Sequence, residues 1–493
     1  MPPRTVVIGV DSSTQSTKAA FVDATSGRVL AVGRAPHVVH GAAGARESDP
    51  EMWWRALCDA VAAGLKESGA AASAVTGIAV AGQQHGLVVL DGEGRPLRPA
   101  MLWNDTRSAP QATALTAALG GPDAWTARTG SVPVAAVTAS KWRWLRENEP
   151  EIAAATAAVR LPHDFLTERL AGTAATDPGD ASGTGWYSTA TGSYDPVLLE
   201  LLGLDAALLP AVAPTGATRV GSLTAWAADA LGLPATTAVA AGTGDNMSAA
   251  VGLGLGGAGL LDHPVLSLGT SGTVFASSRT RPASPALSGF AATDGTYLPL
   301  ACTLNCTLAV DKVAALLGLD RDDISPGGEA VLLPYLDGER TPDLPTAAGL
   351  LTGLRHDTTP RQLLGAAYEG AVVTVVRALD ELLRACGLDP ADPGVAARPL
   401  RLIGGGARGR AWVQTVRRLS GRPVIVPGSD EHVALGAAAL AAAAATGADP
   451  VAVAAGWGTG EDVQLPSVQR DSATWERVGS VLERASGPLL GGF

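Results

Sequence analysis

Two aspartates stand where this chain could carry out phosphoryl chemistry. Asp11 follows the apolar run at residues 6–10 and opens a turn rich in hydroxyl residues that ends at Lys18. Asp245 lies in the sequence GTGDN at residues 242–246, just past the apolar run at residues 238–241. Small hydroxyl residues and glycines leave backbone N–H groups free to bind phosphate oxygens. A carboxylate beside them can hold Mg²⁺ or take the proton of an attacking hydroxyl. The pattern therefore predicts a kinase site without the usual phosphate loop.

Three other functional motifs are excluded or disfavoured by the sequence. A Walker loop is excluded because none of the four lysines, Lys18, Lys66, Lys141 and Lys312, follows a glycine. The G-x-G-x-x-G run at residues 252–257 follows a predicted helix and lacks the acidic residue that a dinucleotide site needs about 20 positions on, so we expect a loop between domains. A hydrolase elbow at Ser271 is disfavoured, because position 273 is threonine instead of glycine.

Composition sets the frame for these motifs. A chain of 493 residues with 46% hydrophobic and 17% charged residues is a well-buried globular protein, long enough for two large domains. The net charge of −11 argues against nucleic acid or an anionic membrane as the main partner. The four cysteines form no paired zinc spacing and fit a reduced, cytoplasmic protein. No apolar stretch is long enough to span a bilayer, and the alanine-rich residues 433–446 predict a packed helix.

Hydrophobic periodicity places these motifs on strands and helices. Asp49 as a cap and Pro50 in the first helical position predict a helix to about Ser68. Predicted strands cover residues 6–10, 18–23, 28–33, 75–80, 87–91 and 100–103. Residues 172–196 are rich in Gly, Thr, Ser and Asp and predict surface loops or a short β insertion.

The opening pattern of strand, hydroxyl turn and strand returns in the middle of the chain. Residues 265–268 and 273–276 are extended and apolar, and the turn GTSG lies between them. Two similar halves would place a nucleotide in the cleft between them. A later strand at residues 400–403 runs into a glycine turn at 404–408 and a helix that ends near Ser420, where the helix N-terminus can hold anions or ribose hydroxyls. We place the domain boundary between residues 246 and 264, which divides the chain into residues 1–250 and 251–493.

Each residue also has a simpler interpretation. Asp11 is an ordinary turn former, and Asp245 could serve only as a helix N-cap. His85, in the sequence GQQHG, could be a core histidine, but it lies in a polar loop where ligand contacts concentrate. Trp103 and the polar residues after it could form a strand end and a cap, or the aromatic wall of a sugar site.

Taken together, these motifs resemble the FGGY carbohydrate kinases. The resemblance also includes KWRWL at residues 141–145, GERTP at 338–342 and residues 349–370, and it covers nearly the whole chain in order. It implies an α/β fold of two actin/hexokinase-like (ribonuclease H-like) domains around a central nucleotide and sugar cleft. Within the family, the sequence QxHG and residues 176–184 resemble the members that phosphorylate D-xylulose with ATP and Mg²⁺. Many of those members carry Met where Gln84 stands, and Ala136 departs from the usual entry to the Lys141 signature.

The resemblance assigns roles residue by residue. Asp245 would accept the hydroxyl proton, for which a carboxylate of ordinary pKa suffices, and Asp11 would orient Mg²⁺ and its waters. The remaining roles are sugar binding by Gln84, His85 and Asn246, phosphate binding by Thr14, Gln15, Thr270 and Ser271, and adenosine binding near Gly405 and Gly406. The implied partner is D-xylulose, with no nucleic acid and no membrane, and a homodimer is compatible with it. A kinase for ribulose or gluconate, or a catalytically silent sugar sensor of the same fold, remains the alternative.

Overall fold

The computed structural model describes residues 5–256, 261–282, 284–342, 344 and 346–485. Its strands are, in chain order, β1 (Val6–Ser12), β2 (Ser16–Asp23), β3 (Val29–Pro36), β4 (Glu47–Ser48), β5 (Val75–Gly82), β6 (Val88–Leu90), β7 (Ala100–Met101), β8 (Ala158–Arg160), β9 (Ala175–Thr176), β10 (Tyr187–Ser188), β11 (Ser193–Tyr194), β12 (Ala211–Val212), β13 (Arg219–Ser222), β14 (Ala238–Ala240), β15 (Thr243–Gly244), β16 (Val265–Leu268), β17 (Gly272–Phe275), β18 (Ser288–Ala291), β19 (Tyr297–Thr303), β20 (Val331–Leu333), β21 (Leu350–Thr352), β22 (Leu400–Ile403), β23 (Val424–Pro427) and β24 (Asp462–Leu465).

The α-helices are α1 (Pro50–Ser68), α2 (Ala109–Ala118), α3 (Pro122–Thr129), α4 (Thr138–Asn148), α5 (Pro150–Ala155), α6 (Pro162–Ala171), α7 (Pro178–Ala181), α8 (Pro196–Leu202), α9 (Ala225–Leu231), α10 (Asp245–Gly252), α11 (Thr307–Leu317), α12 (Pro360–Ala385), α13 (Pro393–Ala396), α14 (Arg410–Ser420), α15 (His432–Thr446), α16 (Pro450–Trp457) and α17 (Ser472–Arg484). Short 3₁₀ turns cover Ala72–Ala74, Ala206–Leu208 and Gly405–Arg408. Among the described residues, no helix is long and apolar enough to cross a membrane.

Two sheets share one strand pattern, which confirms the predicted internal repeat. In the first sheet, with order β13-β14-β5-β1-β2-β3, β1 pairs antiparallel with β2 and parallel with β5. In the second sheet, with order β18-β19-β17-β16-β22-β23-β24, β16 pairs antiparallel with β17 and parallel with β22. In both halves the tight turn between the first two strands therefore lies at the end of the sheet where the parallel strands finish, next to the cleft.

Helix α1 confirms the predicted start and end. The Asp49 carboxylate accepts a hydrogen bond from the Glu51 N–H at 3.0 Å, and Gly69 ends the helix with φ of 62°. Its apolar face, including Trp53 and Leu57, packs on one side of the first sheet. Such a capped and amphipathic segment is readable from sequence because all of its signals are local.

Helix α15 covers the opposite side of the first sheet, although the predicted division at residue 250 assigns it to the second domain. Its alanines pack against Val7, Ala20 and Ala79, and the helix confirms the packed segment predicted at residues 433–446. Small side chains allow the helix to approach the sheet closely. The two halves of the chain are therefore joined by the helix layer as well as by the chain connection.

Glycines make the close contacts of α15 possible. A Cβ on Gly9 of β1 would lie 1.9 Å from the carbonyl oxygen of Ala434, and one on Gly436 would lie 1.7 Å from that of Ser248 in α10. Both are backbone atoms, which cannot move away as a side chain can. Since α10 begins at Asp245, the crossing of α10 and α15 fixes the backbone that carries this residue.

Residues 172–196 contain a short β hairpin, which is one of the two predicted alternatives, but most of the segment does not form surface loops. Residues 175–189 are buried, and they form β9, α7 and β10, with β10 pairing to β11 in a short hairpin. The segment is polar, as its sequence shows, but it is buried and does not lie at the surface. Its hydroxyl and carboxylate groups form hydrogen bonds with distant parts of the chain. Gly257, the last residue of the rejected dinucleotide motif, lies outside the described residues.

We predict that Gly436→Val lowers the melting temperature by several degrees, because overpacking of a close backbone contact costs about 1–3 kcal/mol or more. Gly456→Ala in α16 is the matched control, since a Cβ there meets no atom within 4 Å and alanine favours the helix. Thermal unfolding of the two variants measures both effects. An unchanged melting temperature for Gly436→Val would mean that α10 and α15 do not need this contact.

Candidate active site

Asp11 and Asp245 meet at one end of the first sheet because of strand register. Strand β5 pairs with β1 on one side, where Asp11 lies beside Ala81, and with β15 on the other, where Thr243 lies beside the same Ala81. All three strands are parallel, so their carboxyl ends share one edge, where ligands bind in sheets of this kind. Residues more than two hundred positions apart are thereby brought to one place.

Asp245 is the first residue of α10, and Gly244 is the N-cap. The interpretation of Asp245 as the capping residue is therefore wrong. Its Oδ1 accepts hydrogen bonds from the Asn246 backbone N–H at 2.8 Å and from the Asn246 Nδ2 at 3.1 Å. Burial and the neighbouring carboxylates of Asp11 and Asp180 raise the pKa of Asp245 to about 7. An ordinary pKa would suffice for the expected role of proton acceptor, but the raised pKa makes the Asp245 carboxylate a stronger base than a solvated aspartate.

Asp11 is buried beside a cation and a hydroxyl. The Ser13 Oγ donates to its Oδ1 at 2.5 Å, and the Lys18 Nζ lies 3.6 Å from its Oδ2. Burial raises the pKa of Asp11 despite these two partners. Lys18 is also bonded to Glu431 at 2.9 Å, in the loop just before α15. The turn between β1 and β2 is thus linked by Lys18 to the helix layer that joins the two halves.

A buried ionic cluster supports the strand that leads to Asp245. The Thr243 Oγ1 donates to Asp177 at 2.8 Å, and Asp180 on α7 pairs with His163 Nδ1 at 2.6 Å. His163 Nε2 lies 3.3 Å from Asp164. Burial alone would lower the pKa of His163, but Asp164 and Asp180 outweigh it and raise that pKa to about 9. A protonated His163 therefore neutralises part of the carboxylate charge packed behind the site.

We predict that the stabilising contribution of His163 is lost as pH rises from about 6.5 to 9, since the folded state keeps a proton on His163 that the unfolded chain releases near its ordinary pKa. The raised pKa values of Asp164 and Asp177, both about 6, act in the same direction as His163 but below this range, whereas the lowered pKa of Lys141, about 7, acts in the opposite direction above that pH. The melting temperature of His163→Gln should therefore lie below that of the wild type at pH 6, and this difference should shrink towards pH 9. Thermal unfolding at pH 6, 7.5 and 9 is the measurement, with exposed His356→Gln as control. Parallel curves for His163→Gln and the wild type would contradict a buried imidazolium.

A cavity of about 210 Å³ opens beside Asp245 and is walled by both halves of the chain. The first half contributes polar groups and an apolar wall, and the second contributes residues of β17, β18 and β19 together with a loop arginine. The lining residues are Gln84, His85, Trp103, Trp125, Thr129, Ser131, Val132, Pro133, Val134, Ala136, Val137, Ser182, Gly183, Gly185, Asp245, Asn246, Ser271, Thr273, Ser288, Phe290, Leu300, Cys302 and Arg340. An apolar wall with a few convergent polar groups is typical of a small-molecule site.

Gln84 holds an unused donor in this cavity. Its Oε1 accepts from the Asn246 Nδ2 at 2.8 Å, whereas its buried Nε2 has no hydrogen-bond partner. Gln84 packs over Gly244, where a Cβ would lie 2.7 Å from the Gln84 Cγ. A buried amide without a partner costs free energy unless a ligand completes it. The Nε2 of Gln84 therefore remains available to donate a hydrogen bond.

His85 presents one ring nitrogen to the cavity in a defined protonation state. Its Nδ1 lies 2.8 Å from the Gly183 carbonyl oxygen, which can only accept, so Nδ1 carries the proton and Nε2 is the acceptor. Burial and the charge of Lys141 lower the pKa of His85 to about 3, so the ring is neutral at physiological pH. The ring also lies 5.8 Å from that of Phe290, centroid to centroid, across the boundary between the two halves.

Lys141 is hydrogen-bonded to the backbone carbonyl group of His85. Its fully buried ammonium donates to the His85 carbonyl oxygen at 3.1 Å and also to that of Ala136, and the Thr138 hydroxyl donates to the same His85 oxygen at 3.2 Å. His85 has φ of 66°, an uncommon conformation for a residue other than glycine. The buried donors stabilise it, and they join the His85 loop to the apolar wall at residues 132–137.

The predicted phosphate and adenosine residues lie around the cavity, and only Ser271 lines it. Thr14 accepts a hydrogen bond from the Trp103 indole N–H at 3.0 Å, which links the first turn to the cavity wall. Gly405 is open to solvent, whereas a Cβ on Gly406 would lie 2.8 Å from the Cβ of Leu268 beside the second turn. The remaining predicted residues Asp11, Gln15 and Thr270 also lie outside the cavity wall.

Several wall residues were not predicted. Trp125, Thr129 and Phe290 line the cavity from α3 and β18. The N–H of Gly289 donates to the Gly130 carbonyl oxygen at 2.8 Å, so the edge strand of the second sheet is bonded to the end of α3. No local signal marks such residues, because their role depends on a contact between segments that are distant in sequence.

Comparison with known proteins agrees with this geometry. Models of the FGGY family of carbohydrate kinases match residues 6–252 with the N-terminal domain and residues 265–445 with the C-terminal domain. The chain belongs to this family. It is 57% identical over 489 residues to a xylulose kinase of Streptomyces coelicolor, covering 98% of this chain and 97% of the relative.

Solved structures show the same architecture. A xylulose kinase from Bifidobacterium adolescentis has a TM-score of 0.83 and 34% identity, covering 97% of this chain and 99% of that chain. A gluconate kinase from Lactobacillus acidophilus has a TM-score of 0.87 over 97% of this chain and 96% of that chain, but its 20% identity shows the fold alone. The expected fold of two actin/hexokinase-like domains is confirmed.

Proposed function

We propose that this chain is an ATP-dependent kinase that converts D-xylulose to D-xylulose 5-phosphate. The observation that carries the proposal is one cavity in which the Asp245 carboxylate lies with Gln84, His85 and Asn246. Relatives described as xylulose kinases, at 56% and 57% identity over nearly the full length, support the choice of sugar. The reaction uses ATP, which fits a cytoplasmic enzyme.

In the proposed reaction, the primary hydroxyl of the ketose forms a bond with the γ-phosphorus of ATP while the bond to the β,γ-bridging oxygen breaks and ADP leaves. Asp245 takes the hydroxyl proton. Its raised pKa suits a base near neutral pH, because a group whose pKa matches the operating pH transfers protons best. The rigid contact with Asn246 fixes the carboxylate relative to the sugar site.

Polar groups of the cavity bind the sugar hydroxyls in this proposal. The free Gln84 Nε2 donates, the neutral His85 Nε2 accepts, and the Asn246 amide is shared between Gln84 and Asp245. Trp103, Trp125 and Phe290 supply the apolar walls. A site that provides fixed donors and acceptors rejects analogues that lack the matching hydroxyl, by up to about 10⁴.

The two turns hold the nucleotide phosphates. Thr14 and Gln15 belong to the turn between β1 and β2, and Thr270 and Ser271 to the turn between β16 and β17. Gly405 leaves open space for the adenosine, and Gly406 allows the same turn to pack closely on Leu268 beside the second turn. Each half of the chain thus supplies one phosphate turn, and closure of the two halves would exclude water as a competing acceptor.

The donor set fits a Mg²⁺ ion that accompanies ATP. No three His, Cys, Asp or Glu side chains converge as a metal cluster in the part of the chain that the structure describes. Mg²⁺ usually keeps several waters and uses one or two carboxylates together with substrate phosphates, and Asp11 is placed to hold such a hydrated ion. When bound, the ion would neutralise phosphate charge.

A panel of ketoses, polyols and gluconate with MgATP tests the proposal, with ADP release and product analysis as readouts. We expect D-xylulose to give the highest kcat/KM and xylulose 5-phosphate as product. A preference for ribulose or gluconate would change the proposed substrate, but the protein would still be a carbohydrate kinase. Absence of turnover with every sugar, together with sugar binding, would favour the silent sensor.

Asp245→Asn should reduce kcat by about 10²–10⁴, the usual contribution of a positioned base. Because Asp245 is not the helix cap, the amide removes no capping bond, and we expect a melting temperature within a few degrees of the wild type. ATP binding should persist, as measured by calorimetry with a non-hydrolysable analogue. Normal specific activity of the folded variant would exclude Asp245 as the base.

His85→Ala should raise the KM for the sugar far more than the KM for ATP. The substitution removes the acceptor Nε2 and leaves other polar groups of the pocket unpaired, which costs about 1–3 kcal/mol in sugar binding. Steady-state kinetics with each substrate varied in turn separates the two constants. A lower melting temperature with an unchanged sugar KM would instead support a purely structural histidine.

A further inference from the structure

The loop at residues 338–342 has no role in the scheme above, although its arginine reaches the active site. Arg340 lines the same cavity as Asp245 and Ser271, and it enters from the second half of the chain. Its charge, after burial and Lys141, contributes to the lowered pKa of His85, and it also acts on Cys302 in β19. The positive charge of Arg340 therefore acts on two residues that line the cavity, His85 and Cys302.

The backbone that carries Arg340 is held by a buried carboxylate. Glu339 is 1% exposed, and it accepts hydrogen bonds from the backbone N–H groups of Leu304 at 2.5 Å, Asn305 at 3.3 Å and Arg340 at 2.8 Å. The Asn305 amide adds a bond to Glu339 at 3.0 Å and one to the Gly338 carbonyl at 2.7 Å. This is a rigid attachment for a loop at a cavity mouth.

The same attachment connects Arg340 to the second phosphate turn. Directly after Asn305, the Cys306 N–H donates to the Thr270 carbonyl at 3.3 Å and the Thr307 N–H donates to that of Gly269 at 3.0 Å. The loop of Arg340 and the turn at residues 269–272 are thus hydrogen-bonded to one short segment. Movement of that half of the chain would carry both together towards Asp245.

The guanidinium of Arg340 is unpaired. Among the described residues it has no ion-pair or hydrogen-bond partner, whereas Arg107, Arg169 and Arg418 each pair with carboxylates. Asp245 lines the same cavity, and the carboxylates of Asp11 and Asp180 are its charged neighbours. An arginine whose backbone is fixed and whose guanidinium has no carboxylate partner is suited to form bidentate hydrogen bonds with an anionic ligand.

We propose that Arg340 is a further catalytic residue that binds the phosphoryl group during its transfer from ATP to the sugar. The inference rests on the proposed kinase function. The charge on the moving phosphoryl group is spread over three equatorial oxygens, and two N–H groups of the guanidinium can donate to them. Arg340 transfers no proton: the hydroxyl proton goes to Asp245, the new O–P bond forms, and the bond to ADP breaks. Its contribution is charge stabilisation at the cavity side away from the base.

Three substitutions of Arg340 separate this role from a sugar contact or a solvated surface arginine. Arg340→Met removes the charge, and Arg340→Lys keeps a charge without the planar fork. Arg355→Met is the matched control, because Arg355 is exposed, as Arg340 is, but does not line the cavity. Steady-state kinetics with D-xylulose and ATP, melting temperature, and rescue of Arg340→Ala by added guanidinium ion are the readouts.

We expect Arg340→Met to lower kcat by about 10²–10³ while both KM values change only a few-fold, since arginines that stabilise phosphoryl transfer contribute up to about 10³–10⁵. Arg340→Lys should retain part of kcat, guanidinium ion should restore part of the Arg340→Ala rate, and Arg355→Met should match the wild type. Wild-type kcat in folded Arg340→Met, or a raised sugar KM with unchanged kcat, would overturn the inference. A wild-type enzyme that turns over no sugar would overturn the kinase proposal itself, which is a separate outcome.

Discussion

Three carboxylates, those of Asp11, Asp180 and Asp245, are held together at the end of the first sheet, and the rest of the site is arranged around their repulsion. Burial and like charge raise the pKa of Asp245 to about 7. The fold offsets this charge with the His163 imidazolium behind Asp180 and with Lys18 beside Asp11. Charges that are desolvated and paired in this way are costly to assemble, and structures keep them where they serve chemistry.

Backbone geometry brings these groups together. The register of β1 and β15 on either side of β5 places the two aspartates at one edge, and glycines allow α10, which carries Asp245, to pack closely on α15. Helix α15 comes from the second half of the sequence but packs on the first sheet. This helix therefore joins the second half of the sequence to the sheet that carries Asp11.

Local signals explain which features were predictable from sequence. The strand–turn–strand units, the capped helix α1 and the alanine-rich α15 each carry their pattern within a few residues, and all are confirmed. The interpretation of Asp245 as a helix cap was wrong. Aspartate is favoured both at the cap and in the first helical turn, and only the backbone conformation at Gly244 distinguishes the two positions. Residues 175–189 were misplaced on the surface, because their polar groups bond to Thr243, His85 and Ala291, which lie far away in the chain. The role of Phe290 depends on a contact of the same long-range kind.

A crystal structure of the complex with D-xylulose and a non-hydrolysable ATP analogue would test the role of Asp245 directly. We expect the primary hydroxyl of the sugar to lie within about 3.2 Å of the Asp245 carboxylate, with the γ-phosphate in line on its other side. The nucleotide phosphates should contact the turns at residues 11–17 and 267–273. A closed complex in which that hydroxyl faces another group and Asp245 contacts neither substrate would contradict this role.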